Sequence, residues 1–153
     1  MTTKRVFIVA VLLGVIVRVA FGQSADPLIG TWKINPEKSK GAKSGTTVIE
    51  SAGKGLKWTV DLVSTEGTKT HWSFTADYDG KDNPVTGNSP YGNTASLTRV
   101  DAKTVRITSK QDGKVTATST IVLSADGKTR TTTTKGKDPK GQAVDVLSVY
   151  EKQ

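Results

Sequence analysis

The chain has 153 residues, no cysteine and a formal net charge of +8. The absence of cysteine excludes a disulfide framework, so a domain of this size must be stabilised by its own core. Its 22 basic residues are mostly scattered singly. A nucleic-acid-binding surface needs a basic stripe interleaved with aromatic residues, and the sequence has none.

The first 22 residues have the three parts of a secretory signal peptide. Lys4 and Arg5 form a positive amino-terminal region, and residues 6–17 form an uncharged apolar run. Ala20 and Gly22 then supply the small residues that signal peptidase recognises. The alternative, a transmembrane anchor, needs about 20 apolar residues, and Arg18 interrupts this run.

Cleavage is therefore expected between Gly22 and Gln23. Residues 1–22 are predicted to be the signal peptide and residues 23–153 a single domain. The remaining 19 basic and 14 acidic residues give a net charge of +5. We expect a secreted or periplasmic monomer that has no membrane anchor after cleavage.

The rest of the chain alternates between strand-like runs and short glycine-containing turns. Runs rich in Val, Ile, Thr, Trp and Tyr favour strands, and Asp-Gly pairs tolerate the positive φ angles of tight hairpins. No sustained helical periodicity is present. The pattern predicts an all-β, antiparallel up-and-down β-barrel of roughly 8–10 strands, because closure removes exposed edges. The predicted strands are 31–35, 46–51, 56–63, 69–78, a weak strand at 83–87, 94–100, 103–110, 114–123, 128–135 and 143–151.

Alternation along each strand predicts which side chains face the interior. The inward apolar set on the later strands is Val105, Ile107, Val115, Ala117, Ile121 and Leu123. The strand at 128–135 is mostly threonine, and Arg130 points inward if Lys135 points outward. The candidate ligand-binding residues are Trp58, Trp72, Phe74, Tyr78, Arg130 and Tyr150. Inward aromatic residues also fill the core of small barrels, so a filled interior remains an alternative.

The motif Gly30-Thr31-Trp32 opens the first predicted strand and resembles the Gly-x-Trp motif of lipocalins. Residues 28–34 and 149–152 also resemble the first and last strands of intracellular fatty-acid-binding proteins, which share the barrel architecture. Streptavidin-like barrels begin with Gly-Thr-Trp as well. The resemblance implies a lipocalin-like, calycin-type barrel in which Gly30 and Trp32 are structural.

Two departures from the fatty-acid-binding proteins affect what this resemblance implies. Their last strand carries Arg-x-Tyr, whereas the matching positions here are Ser148 and Tyr150. Their two-helix lid after the first strand is replaced by a Lys-, Ser- and Gly-rich loop at residues 35–45. In lipocalins the motif Trp lies near an Arg from a late strand. Arg130 is a candidate for that structural role and equally for anion binding inside a cavity.

Enzymatic sites are weakly supported by the sequence. His71 is the single histidine, and alternation places it on the outer face, where a Ser–His–Asp arrangement is not expected. Asp77, Asp79 and Asp82 resemble a calcium loop, but Asn88 stands where the closing Glu is required. We expect no enzyme activity, cofactor or metal.

Two functions remain open. The first is an exported barrel that binds a small hydrophobic or amphipathic molecule in its interior. The second is a filled barrel that contacts another protein through its loops, as secreted barrel-type protease inhibitors do. A cavity favours the first, whereas an exposed apolar patch on the loop at residues 82–93 favours the second.

Overall fold

Eleven antiparallel strands form one sheet in the computed structural model, which describes residues 25–153. The predicted signal peptide lies outside the described residues. The all-β barrel is confirmed, with two very short strands added to the nine long ones. The strands are β1 (Gly30–Ile34), β2 (Ala42–Ala52), β3 (Gly55–Ser64), β4 (Lys69–Ala76), β5 (Asn83–Pro84), β6 (Thr86–Gly87), β7 (Thr94–Arg99), β8 (Thr104–Gln111), β9 (Lys114–Leu123), β10 (Thr129–Lys137) and β11 (Ala143–Lys152).

Most neighbouring strands in the sheet follow one another in the chain, and the first and last strands of the chain are also neighbours in the sheet. Strand β1 pairs with β11, with Ile34 opposite Tyr150. One Asp-Gly turn has positive φ at both residues: Asp112 and Gly113, between β8 and β9, have φ angles of 51° and 79°. Positive φ at both positions matches a type I′ turn, whose twist suits a hairpin.

The barrel has a seam where β4 and β7 do not pair with each other. Strand β6 pairs with β4 at Trp72 and Ser73, and β5 pairs with β7 at Thr94 and Ala95. Asn88 extends the β4 edge: its backbone N–H donates to the His71 carbonyl at 2.9 Å, and its side-chain oxygen accepts from the His71 N–H. The segment at residues 77–93 therefore covers the seam and satisfies edges that would otherwise be exposed.

Alternating residues of the long strands fill the interior, as predicted. The cross-strand pair Trp58 and Phe74 is stacked, with ring centroids 6.0 Å apart and planes 6° apart. Val115 is the exception, because its side chain is 56% exposed. It lies beside the β8–β9 turn, opposite Lys110 at a β-bulge, so the predicted interior position is wrong for this residue.

The connection between β1 and β2 is short and holds a single 3-10 turn, Pro36–Lys38. Asn35 caps this turn by accepting hydrogen bonds from the Glu37 and Lys38 N–H groups. Strand β2 then begins at Ala42, four residues before the predicted start. The two-helix lid is therefore missing, as the loop composition predicted. Within residues 25–153, no helix is long and apolar enough to span a membrane.

Candidate functional site

Trp32 forms the floor of the barrel interior. Its side chain is 0% exposed, and its indole N–H donates to the Leu28 carbonyl at 2.8 Å. Two cations flank the ring: the Arg130 guanidinium at 5.4 Å and the Lys152 ammonium at 5.2 Å from its centroid. Gly30 has a φ of 138°, a backbone conformation that residues with a side chain rarely adopt, and a Cβ at this position would lie 2.8 Å from Lys152 Cε. Trp32 is thus part of the buried core and is hydrogen-bonded to the segment before β1.

A cluster of a hydrogen bond and an ion pair connects residues on the two sides of the seam between β4 and β7. Tyr78 donates to Asp26 Oδ2 at 2.6 Å, and Arg99 pairs with the same oxygen. The Arg99 guanidinium also lies 4.2 Å from the Tyr78 ring centroid. Burial and the Asp26 carboxylate raise the pKa of Tyr78. The side chains thus join the segment before β1 to the ends of β4 and β7, and we name them the Asp26 cluster.

Tyr78 packs against the core but does not line the interior cavity with the other predicted ligand-binding residues. Strand β4 ends at Ala76, so the alternation that placed Tyr78 inside no longer applies two residues later. Its hydroxyl belongs to the Asp26 cluster instead. This placement corrects the prediction of a shared wall of six residues.

A cavity of about 70 Å³ lies inside the barrel. Five of the six predicted residues line it: Trp58, Trp72, Phe74, Arg130 and Tyr150. One water needs roughly 10–15 Å³, whereas pockets for drug-sized ligands measure about 300–1,000 Å³. The interior is therefore largely filled by side chains, and its open space suits a few waters or a compact group.

Arg130 is the charged residue of this cavity. It projects inward from β10, as predicted, and its side chain is 2% exposed. Its guanidinium carbon lies 3.9 Å from the Tyr150 ring centroid and 5.5 Å from that of Trp58. Among residues 25–153 no carboxylate forms an ion pair with it. Burial lowers the pKa of Arg130 to about 10, so the side chain stays cationic at neutral pH.

Other polar atoms of the cavity wall also lack partners within the described part of the chain. Arg130 Nε, Trp58 Nε1 and Thr132 Oγ1 are buried and make no hydrogen bond there. The nearby hydroxyls of Ser119 and Thr134 satisfy each other at 2.8 Å. Two of the three unpartnered atoms are obligate donors and the third can donate, so the wall has unused capacity for a hydrogen-bond acceptor.

Sequence reasoning missed several residues of the cavity. Val85, Ser89 and Tyr91 reach it from the segment at 77–93, where no regular alternation exists to predict their direction. The missed hydroxyl residues of the regular strands are Thr47, Ser109 and Ser119. Parity was a usable signal for Ser109 and Ser119, since each shares a face with predicted interior residues of its strand.

His71 lies on the outer face, as alternation predicted. Its Nδ1 is 2.7 Å from Asp61 Oδ1, and both side chains are more than 60% exposed, at 62% and 63%. The pair is a cross-strand contact between β3 and β4. It does not line the interior cavity.

Comparison with known proteins identifies the fold. No protein-family model matches the chain, and no curated protein is significantly similar to it. Among solved structures, the zebrafish ileal bile acid-binding protein complexed with cholic acid is similar, with a TM-score of 0.50 and 12% identity. The match covers 83% of this chain and 99% of that one. The chain thus has the calycin-type β-barrel fold of the fatty-acid-binding proteins, which confirms the resemblance predicted from its first and last strands.

Proposed function

We propose that this protein is an exported, non-enzymatic binding protein that holds a compact anionic molecule inside its barrel. The carrying observation is Arg130, a buried cation with no anionic partner among residues 25–153. Trp58, Trp72 and Phe74 would form the apolar wall, with Tyr150 against the guanidinium. Residues 1–22 would direct export.

The energetic argument starts from the cost of burying a charge. An ion removed from water loses several kcal/mol of solvation, which a partner with good geometry offsets. The aromatic rings around Arg130 supply part of this, at about 0.5–2 kcal/mol per contact. A carboxylate, sulfonate or phosphate group would supply the rest, because a guanidinium presents a planar fork that such anions match.

The unpartnered atoms around Arg130 support an anion over a neutral ligand. Trp58 Nε1 and Arg130 Nε can only donate, and Thr132 Oγ1 can donate, so all three suit acceptor atoms such as those of an anion. Ordered water could satisfy individual atoms but would leave the guanidinium charge unpaired. The shared fold is consistent with this proposal, since the similar zebrafish structure contains cholic acid, a carboxylic acid.

The alternative, a filled barrel acting through its loops, has one observation for it and one against it. The small cavity is what a filled barrel would show. However, Val85 and Tyr91 of the loop at residues 82–93 line the cavity instead of forming an exposed apolar patch. The large exposed apolar side chains of the described region lie elsewhere, at Val100, Val115, Val122 and Leu147.

Calorimetric titration with a matched pair of ligands tests the proposal. Hexanoate and hexanamide have equal chain length and differ in charge. We expect saturable hexanoate binding by the wild type, at least about tenfold weaker binding by Arg130→Gln, and little hexanamide binding by either protein. The tenfold figure follows from the ~1.5–3 kcal/mol of a hydrogen bond to a charged group.

Arg106→Gln is the matched control, because Arg106 is an exposed arginine on β8. It should bind hexanoate like the wild type. Equal losses of both ligands in Arg130→Gln would make Arg130 structural. No saturable binding of any carboxylate by the wild type would favour the filled-barrel interaction protein.

A further inference from the structure

Tyr91 reaches the cavity from the segment that covers the seam. Its ring meets Trp72 edge-on, with centroids 6.0 Å apart and planes at 88°. Val85 and Ser89 of the same segment line the cavity beside it. The ring therefore occupies part of the space between the seam and the far wall.

The phenol of Tyr91 extends toward the strands that carry Arg130 and Tyr150. Thr134 and Tyr150 line the same cavity as Tyr91. Burial raises the pKa of Tyr91 to about 12, with a further increase from Tyr150. Thr134 is on β10 and Tyr150 on β11. The side chain thus spans the cavity from the seam segment toward the opposite wall.

Hydrogen bonds to the backbone at Tyr91 and Asn93 fix the position of the Tyr91 ring in the cavity. Thr116 Oγ1 donates to the Tyr91 carbonyl, and the Asn93 N–H donates to the Lys110 carbonyl at 2.9 Å. Gly92 permits this close approach: its φ is 143°, and a Cβ there would lie 2.2 Å from the Lys110 carbonyl oxygen. The ring is therefore positioned by its neighbours in the chain as well as by Trp72.

We infer that Tyr91 limits the length of ligand that the barrel accepts, by filling the space into which an apolar tail would extend from Arg130. This inference rests on the proposed function. With Tyr91 inside, the remaining 70 Å³ suits the anionic group and a short tail. Removal of the ring joins its volume to the cavity, so the favoured ligands become longer-chain carboxylates.

A homologous series of straight-chain carboxylates, from butanoate to dodecanoate, measures this limit by calorimetry. A buried methylene contributes about 0.8 kcal/mol, which is about a fourfold gain in affinity. In the wild type, we expect affinity to stop rising within the first few members. In Tyr91→Ala, it should continue to rise about fourfold per methylene. Tyr91→Phe keeps the ring and should follow the wild type.

The outcomes separate this inference from the proposed function. Binding of short carboxylates with the same chain-length profile in wild type and Tyr91→Ala would overturn the role of Tyr91 and leave interior binding intact. A continuous rise in affinity across the series in the wild type would also overturn the role of Tyr91. Failure of every carboxylate to bind either protein would overturn both. Tyr91→Leu gives a second, less severe truncation should Tyr91→Ala fail to fold, as judged by circular dichroism.

Discussion

Arg130→Met separates a binding role of Arg130 from a structural one. Burial holds the pKa of the Arg130 guanidinium well below its usual range, at about 10, which corresponds to a cost of about 3 kcal/mol for the charged form. The cation–π contacts with Tyr150, Trp32 and Trp58 stabilise the charged form by about 0.5–1 kcal/mol each. Methionine fills similar space without a charge. The free energy of unfolding should therefore stay the same or rise by about 1 kcal/mol.

Guanidinium chloride unfolding at pH 7 without ligand measures this difference. The folded state releases the Arg130 proton at lower pH than the unfolded chain does. The free-energy cost of burying the charged Arg130 side chain is therefore constant below about pH 10 and declines as the pH rises further. Unfolding at pH 7 measures the full cost. Arg106→Met, on the outer face, should change stability by less than about 0.5 kcal/mol.

A loss of about 3–5 kcal/mol in Arg130→Met would refute the reasoning, because that is the cost of breaking a satisfied buried pair. A complementary measurement adds hexanoate. A ligand at one hundred times its dissociation constant stabilises a protein by about 2.7 kcal/mol. Wild type should show this gain and Arg130→Met should not.

Two further predictions concern the floor and the amino terminus. Trp32→Ala should lower the free energy of unfolding by about 3–5 kcal/mol, because the removed ring is fully buried; a change below about 1 kcal/mol in the same unfolding assay would show that Trp32 does not support the core. Amino-terminal sequencing of exported protein should begin at Gln23 or its cyclised form, and intact Met1 would contradict the signal peptide.

Period-two alternation predicted the long strands and their faces because one side of each strand is buried. Trp58, Trp72 and Phe74 point inward as expected, and so does Arg130, whose direction was deduced from an exposed Lys135. The rule fails where a β-bulge interrupts a strand. Val115 has the same parity as Ala117 in the sequence, but a β-bulge between them pairs Val115 with Lys110, and Val115 is exposed.

The seam could not be predicted in the same way. Residues 77–93 include two strands of two residues each within irregular backbone, whose direction is fixed by individual hydrogen bonds such as the two between Asn88 and His71. No periodic pattern connects Tyr91 with the interior. Tyr78 is the opposite case. Its position in the sequence continues the alternation of β4 and predicts an inward side chain, but its hydroxyl donates to Asp26.

The pairing of β1 with β11 has a consequence for the time at which this protein can fold. Trp32 lies opposite Lys152, so the two strands that close the sheet are separated by 120 positions in the chain. Contacts of such large sequence separation form late and make folding slow. A chain emerging amino-terminus first cannot join these strands until β11 has also emerged. If the chain is exported, it can therefore cross the membrane before the barrel closes.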